Sequence, residues 1–301
     1  MSTHQRIAGV WLPLITPFKD GRLDENSLAR LVQHYAAAPI DGLILAATTG
    51  EGLTLDENET ERLVAVTAAA RNRALPIYLG VSGADTRKLR GALDRTAAWP
   101  IDGYLIPCPY YVRPPQEGLY RHFAALARAT ERPIIVYNIP YRTGVNLANA
   151  TLLRLAELPN IVGVKDCCVD QAQSFDLIRA RPPRFAVLTG EDALFYGALA
   201  HGADGGILAA AHVETARFAA VRNALMGGRR EDALREWHDL VDLARLLFAE
   251  PNPAPIKHWL WRAGLIDSPE LRLPMMQVSD GLAARIDAEM ARLRTPGAVA
   301  A

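Results

Sequence analysis

Three features of this sequence could share one piece of carbonyl chemistry. A lysine closes one apolar run, a tyrosine closes another, and a threonine pair follows a third. Lys165 ends Ile161-Val162-Gly163-Val164, which reads as a short strand buried on both faces. Lysine is almost never fully buried without a partner. An ammonium removed from water loses hydration, so its pKa falls and a neutral amine becomes available near pH 7. A neutral amine attacks carbonyls and forms Schiff bases. Taken alone, Lys165 favours a blander reading, with its stem on apolar surface and its head in water. Its company shifts the balance. Tyr137 ends Pro133-Ile134-Ile135-Val136, and Thr48-Thr49-Gly50-Glu51 follows Leu43-Ile44-Leu45-Ala46.

The threonine turn offers two hydroxyls and backbone N–H groups that can hold a small carboxylate. It reads equally well as a simple strand-to-helix turn. Each hydroxyl is donor and acceptor, so either can relay a proton. A phenol beside a neutral amine, as at Tyr137, can pass protons to a carbinolamine; a core tyrosine with a satisfied hydroxyl is the commoner fate. Pro109-Tyr110-Tyr111 adds two more phenols. Arg142 lies in Tyr141-Arg142-Thr143-Gly144, where a guanidinium could take a carboxylate bidentately or simply be solvated. His34, His122, His201, His212 and His258 have no metal spacing and read as surface or interface residues. The cysteines Cys108, Cys167 and Cys168 form neither a disulfide framework nor a zinc pattern. Cys167 and Cys168 read as small packing residues at a strand end.

The elements that must position these residues are legible as an alternation. Strand candidates are Gly9–Ile15, Gly42–Ala46, Pro76–Val81, Gly103–Ile106, Pro133–Tyr137, Ile161–Lys165, Phe185–Thr189 and Gly205–Ala209. Amphipathic stretches such as Leu28–Ala38, Glu57–Arg71, Gly118–Thr130 and Thr151–Glu157 lie between them. Repeated strand–helix units imply a parallel sheet clothed in helices, and eight of them predict an α/β fold, a (β/α)8 TIM barrel. No G-x-G-x-x-G follows the first strand, which weakens a dinucleotide-binding alternative. Thr54-Leu55-Asp56-Glu57 has capping-box spacing. After Gly227-Gly228 the strand pattern stops. Glu231–Glu250 carries a helical apolar stripe, Pro251, Pro253 and Pro255 read as a stiff connector, and helices follow around Ile256–Ala263 and Leu282–Leu293. The expected division is a catalytic barrel over 1–228 and a C-terminal helical domain over 229–301. Barrel chemistry sits at the C-terminal strand ends, where Thr48, Thr49, Tyr137, Lys165, Gly190 and Glu191 all fall.

Composition sets the outer limits. The chain has 301 residues, half of them hydrophobic, and Lys+Arg and Asp+Glu both total 33. A net charge of zero without a basic stripe argues against nucleic-acid binding. Met1 to Arg6 has no apolar signal core, and no apolar stretch reaches membrane-spanning length. Three cysteines without a framework fit a reducing compartment, so a cytoplasmic protein with no membrane association is expected.

Seven segments carry a family resemblance: Leu14-Ile15-Thr16-Pro17-Phe18, Ala47-Thr48-Thr49-Gly50-Glu51, Pro109-Tyr110-Tyr111, Tyr137-Asn138-Ile139-Pro140-Tyr141-Arg142-Thr143-Gly144, Gly163-Val164-Lys165-Asp166, Leu188-Thr189-Gly190-Glu191-Asp192 and Glu250-Pro251-Asn252-Pro253. Through them almost the whole chain resembles the dihydrodipicolinate synthase / N-acetylneuraminate lyase family, the pyruvate-dependent class I aldolases. The resemblance implies that Lys165 forms the Schiff base with pyruvate and that Tyr137 shuttles protons over it. It implies that Thr48 links Tyr137 to Tyr111 and that Thr49 holds the pyruvate carboxylate. Gly190 and Ile207 would line the imine site through backbone. Arg142 would bind the carboxylate of the second substrate. The tyrosine matching Tyr111 usually enters from a neighbouring subunit, which implies a homodimer or homotetramer. No metal and no dissociable cofactor are implied, and the partners are small-molecule substrates.

Arg142-Thr143-Gly144 points to the synthase branch, which condenses pyruvate with aspartate 4-semialdehyde to 4-hydroxy-tetrahydrodipicolinate in lysine biosynthesis. Two departures from that branch stand out. Ala47 replaces the usual Gly before the threonine pair, and Asp166-Cys167-Cys168 replaces Glu followed by small residues. Lys-Asp occurs also among the sugar-acid aldolases and dehydratases of the family. The alternatives are therefore a 2-keto-3-deoxy sugar-acid aldolase or dehydratase, a pyrroline-4-hydroxy-2-carboxylate deaminase, or a non-catalytic homologue. Gly52-Leu53 and Gly83-Ala84-Asp85-Thr86 match poorly the residues that bind feedback lysine, so weak or absent lysine inhibition is expected.

Overall fold

The computed structural model describes residues 7–71 and 75–294. Eight strands close into a parallel barrel: β1 (Gly9–Pro13), β2 (Gly42–Leu45), β3 (Ile77–Gly80), β4 (Gly103–Pro107), β5 (Ile134–Asn138), β6 (Ile161–Asp166), β7 (Ala186–Thr189) and β8 (Gly205–Ile207). The ring closes where β1 pairs with both β2 (Trp11↔Gly42) and β8 (Trp11↔Ile207). All eight expected strands are present, with ends shifted by a residue or two. A short antiparallel ladder of Phe18–Lys19 with Arg22–Leu23 stands apart from the barrel.

These strands read as unbroken apolar runs because both faces are covered. Successive residues point to opposite faces, so each strand feeds two layers. Trp11, Ile44, Tyr78, Leu105, Ile135, Leu188 and Ile207 fill the barrel interior. Leu12, Leu43, Leu45, Val136 and Val164 face the layer shared with the helices. That outer ring is α1 (Glu25–Ala36), α2 (Glu57–Ala70), α3 (Thr86–Arg95), α4 (Gln116–Ala127), the short α5 (Pro140–Thr143), α6 (Asn149–Leu155), α7 (Gln171–Ala180), α8 (Phe195–Ala200) and α9 (Thr215–Met226).

Three helices follow the last unit: α10 (Arg230–Leu246), α11 (Ala254–Arg262) and α12 (Asp280–Arg294). The apolar stripe of α10 is buried on the barrel's own helices. Trp237 meets Phe195 of α8 and Phe218 of α9 edge-on, at 6.2 and 6.4 Å between ring centres.

The structure corrects three local expectations. The capping box of α2 is Asp56 with Glu59, not Thr54 with Glu57: Asp56 accepts from the Glu59 N–H at 2.8 Å, and Glu59 reaches back to the Asp56 N–H. Thr54 is diverted into a tight turn, donating to the Glu51 carbonyl at 2.9 Å. Pro255 belongs to the first turn of α11 rather than to a connector, where proline loses no helical hydrogen bond. His122, His212 and His258 are buried rather than superficial. His212 bridges the barrel closure, accepting from the Ile15 N–H at 3.2 Å through Nε2 and bonding the Ala209 carbonyl at 2.8 Å through Nδ1.

Candidate active site

β5 and β6 run side by side in the register Tyr137↔Lys165, so both side chains point into the barrel at its C-terminal mouth. The Lys165 ammonium position lies 4.5 Å from the centre of the Tyr137 ring. Each residue is only 6% exposed. Burial draws the Lys165 pKa below the ordinary lysine range, and Cys167, Asp192 and Glu191 oppose it only in part. Burial likewise pushes the Tyr137 phenol well up, so it stays protonated. An amine driven toward neutrality under a protonated phenol is a nucleophile beside a proton donor.

The rest of the wall is fitted to this pair. Gly190 donates its N–H to the Asp166 carbonyl at 2.8 Å. A Cβ there would lie 2.4 Å from Lys165 Cε and 2.4 Å from Cys167 Sγ, so any side chain would displace the lysine. Ile207 is fully buried in the interior cluster that includes Tyr137. The Cys167 thiol, also buried, donates weakly to Tyr137 Oη at 3.9 Å. Asp192 is buried and accepts from the Ala210 N–H at 2.6 Å; burial raises its pKa to about 7, against the attraction of Lys165.

The threonine turn after β2 is a closed loop. The Glu51 N–H donates to the Thr48 carbonyl and the Gly52 N–H to the Ala47 carbonyl, both at 3.1 Å. A Cβ at position 52 would lie 1.8 Å from the Ala46 carbonyl oxygen, so only glycine fits. Thr16 donates to the Gly50 carbonyl at 2.6 Å. Thr49 is buried and accepts from Asn252 Nδ2 at 2.9 Å. The Glu51 carboxylate, 1% exposed, takes the ammonium of the fully buried Lys257 at 2.5 Å and the Arg272 N–H at 3.0 Å. Lys257 also donates to the Glu270 carbonyl at 2.7 Å, and burial lowers its pKa to about 8 against the pull of Glu51.

The remaining expected residues are exposed. Arg142, on α5, has no carboxylate partner among the described residues; its guanidinium carbon lies 6.0 Å from the Tyr141 ring centre. Tyr141 donates to Glu191 Oε1 at 2.8 Å. Tyr111 is 91% exposed, and its φ of +72° is a strained conformation for a bulky residue. The strain is held by its N–H on the Thr143 carbonyl at 3.1 Å. Among the described residues no hydrogen bond joins Thr48, Tyr137 and Tyr111, so a single chain does not close the expected hydroxyl relay. Lys165, Tyr137, Gly190 and Ile207 are brought together, with Thr49 fixed in its turn.

Sequence reasoning gave Cys167 only a packing role and gave none to Asp192, Asn252 or the Glu51–Lys257 pair. One signal was present: Lys257 interrupts the apolar run of α11, and a lysine there needs an anion. Outside β6 and against α7, Asp166, Ser174, Thr189 and His201 line a cavity of about 30 Å3.

Known proteins share this arrangement of elements. The dihydrodipicolinate synthetase family matches residues 6–291. A 4-hydroxy-tetrahydrodipicolinate synthase 2 of Clostridium acetobutylicum is 44% identical over 282 residues, covering 94% of this chain and 99% of that protein. The dihydrodipicolinate synthase of Aquifex aeolicus superposes with a TM-score of 0.92 at 30% identity, over 96% of this chain and 99% of its own. A chloride-inhibited dihydrodipicolinate synthase of Acinetobacter baumannii, solved with pyruvate, gives a TM-score of 0.90 at 34% identity, over 95% of this chain and 98% of its own. With a matching fold, near-complete coverage and a buried lysine in the barrel mouth, this chain belongs to the dihydrodipicolinate synthetase family.

Proposed function

We propose that this enzyme is a Schiff-base lyase that condenses pyruvate with aspartate 4-semialdehyde to 4-hydroxy-tetrahydrodipicolinate, in lysine biosynthesis. The observation that carries this reading is the buried Lys165 nitrogen, 4.5 Å from the Tyr137 ring centre, in a chain 44% identical to a synthase of that name.

In the proposed route, neutral Lys165 adds to the ketone carbon of pyruvate. The carbinolamine loses water, with Tyr137 giving and taking protons, and a protonated imine results. Its positive charge acidifies the adjoining methyl group; a proton leaves and an enamine forms. The enamine carbon attacks the aldehyde carbon of the second substrate. That substrate's amine then displaces Lys165 and closes the ring. Thr49 holds the pyruvate carboxylate, and Gly190 and Ile207 bound the imine. Arg142, exposed and without an anionic partner among the described residues, orients the second carboxylate against the enamine.

The open relay has a natural completion. We assign Thr48 and Tyr111 to a proton path from Tyr137, with Tyr111 donated by a neighbouring subunit in a homodimer or homotetramer. Its exposure and its pinned, strained backbone support that role. We further propose a cytoplasmic enzyme whose barrel spans 1–228 and whose helical appendage spans 229–301. No helix among the described residues is long and apolar enough to cross a membrane.

The test is an assay of the purified protein with pyruvate, with aspartate 4-semialdehyde, and with both. Pyruvate loss that requires the aldehyde, with the ring product identified by mass, supports the proposal. Release of pyruvate from a 2-keto-3-deoxy sugar acid instead would move the enzyme to another substrate.

A further inference from the structure

The turn that carries Thr49 is gripped by residues some two hundred positions later in the chain. Asn252 lies between α10 and α11 and donates through Nδ2 to Thr49 Oγ1 at 2.9 Å. Both residues are more than nine-tenths buried. A hydroxyl has one hydrogen and two lone pairs. With one lone pair occupied by Asn252, the Thr49 hydrogen points elsewhere. An amide donor on the oxygen also polarises the O–H bond and strengthens its own donation.

The other end of the same amide favours a functional role. Among the described residues no group bonds Asn252 Oδ1. A buried carbonyl without a protein partner is destabilising, so an apolar side chain of similar size would suit a purely structural position better. Among the described residues, the one side-chain bond Asn252 makes goes to the hydroxyl of that turn.

We infer that Asn252 is a positioning residue for the keto-acid substrate: it fixes the Thr49 hydroxyl as a donor aimed at the substrate carboxylate. This rests on the proposed role of Thr49. Aspartate at 252 would keep the shape and reverse the effect. Its carboxylate only accepts, so it would take the Thr49 hydrogen and set a negative charge beside the incoming one.

The experiment is borohydride trapping at Lys165 over graded pyruvate concentrations, with steady-state kinetics and melting curves on the same proteins. For Asn252→Asp and Asn252→Ala, half-maximal trapping is expected to need about tenfold more pyruvate, while the maximal trapping rate and kcat stay within about threefold. Thr49→Val should shift the pyruvate dependence comparably. Adding Asn252→Ala to Thr49→Val should then change little, because both act through one hydroxyl. Asn252→Ala should melt close to the parent protein, which separates this effect from general destabilisation. An unshifted pyruvate dependence in Asn252→Asp would overturn the inference, as would full additivity with Thr49→Val. Normal trapping in the parent with unshifted variants refutes this inference alone; absent trapping in the parent removes the functional reading and this inference with it.

Discussion

The Thr48–Glu51 turn and the loops carrying Tyr111 and Arg142 all lead off barrel strands, yet they are held in opposite ways. The turn is closed by its own backbone, bonded by Thr16 from the β1 side and clasped by Asn252, Lys257 and Arg272 from the C-terminal region. Arg142 and Tyr111 are anchored through their backbone N–H groups and present their side chains to solvent. The contrast follows the order of the chemistry. In the proposed mechanism the first substrate must meet a lysine held within tenths of an ångström, which calls for a fixed carboxylate site. The second, in the same mechanism, arrives at an enamine already formed, and a guanidinium with no carboxylate partner among the described residues is left to close on it.

Breaking the clasp should produce the largest effect. Glu51→Gln leaves the Lys257 ammonium buried without its anion, a change that costs about 3–5 kcal/mol, or on the order of 10 °C in melting temperature. Differential scanning calorimetry checks this. The double variant Glu51→Gln/Lys257→Met should recover most of the loss, because no buried charge is then left unpaired and the glutamine carbonyl can still accept from the Arg272 N–H. A melting temperature unchanged in Glu51→Gln would show that the turn is not held from the C-terminal region.

The barrel closure beside that turn has its own pH signature. Burial lowers the His212 pKa to about 4, whereas an unfolded histidine titrates near 6.5. Between those values the unfolded chain takes up a proton that the native chain refuses, so stability falls as pH falls. From pH 7 to pH 4 the loss from His212 is on the order of 3 kcal/mol. Urea denaturation across that range measures it, and His212→Gln should flatten the slope by this share.

The open side predicts a smaller and differently shaped effect. Arg142→Ala should leave the melting curve within about 0.5 kcal/mol of the parent. It should spare pyruvate trapping and lower kcat/KM for aspartate 4-semialdehyde about ten- to a hundredfold, the loss of a charged hydrogen-bonded contact. Equal losses in both half-reactions would erase the distinction between the two sides.

The sequence carried these regions unequally. Strands were legible because apolar runs bounded by glycine and proline are local signals, and Lys165 and Tyr137 were legible because they end such runs. The C-terminal clasp was not. Glu51 and Lys257 lie 206 positions apart, and no local pattern announces so distant a pairing. The misplaced capping box has a different cause: Thr54 and Asp56 both suit an N-cap, and the tight turn through Glu51 claimed the threonine first. His212 was misread because its burial depends on backbone partners brought in by barrel closure, Ile15 and Ala209; His122 and His258 meet Thr86 and Asp287, side chains also far off in the sequence.

The central claim is that Lys165 is the buried nucleophile that bonds to pyruvate, and reductive trapping tests it most directly. The protein is incubated with pyruvate, quenched with borohydride, digested and analysed by mass spectrometry. The account predicts one pyruvyl-derived adduct, on Lys165, absent in Lys165→Ala. No adduct, or an adduct on another lysine, would contradict it.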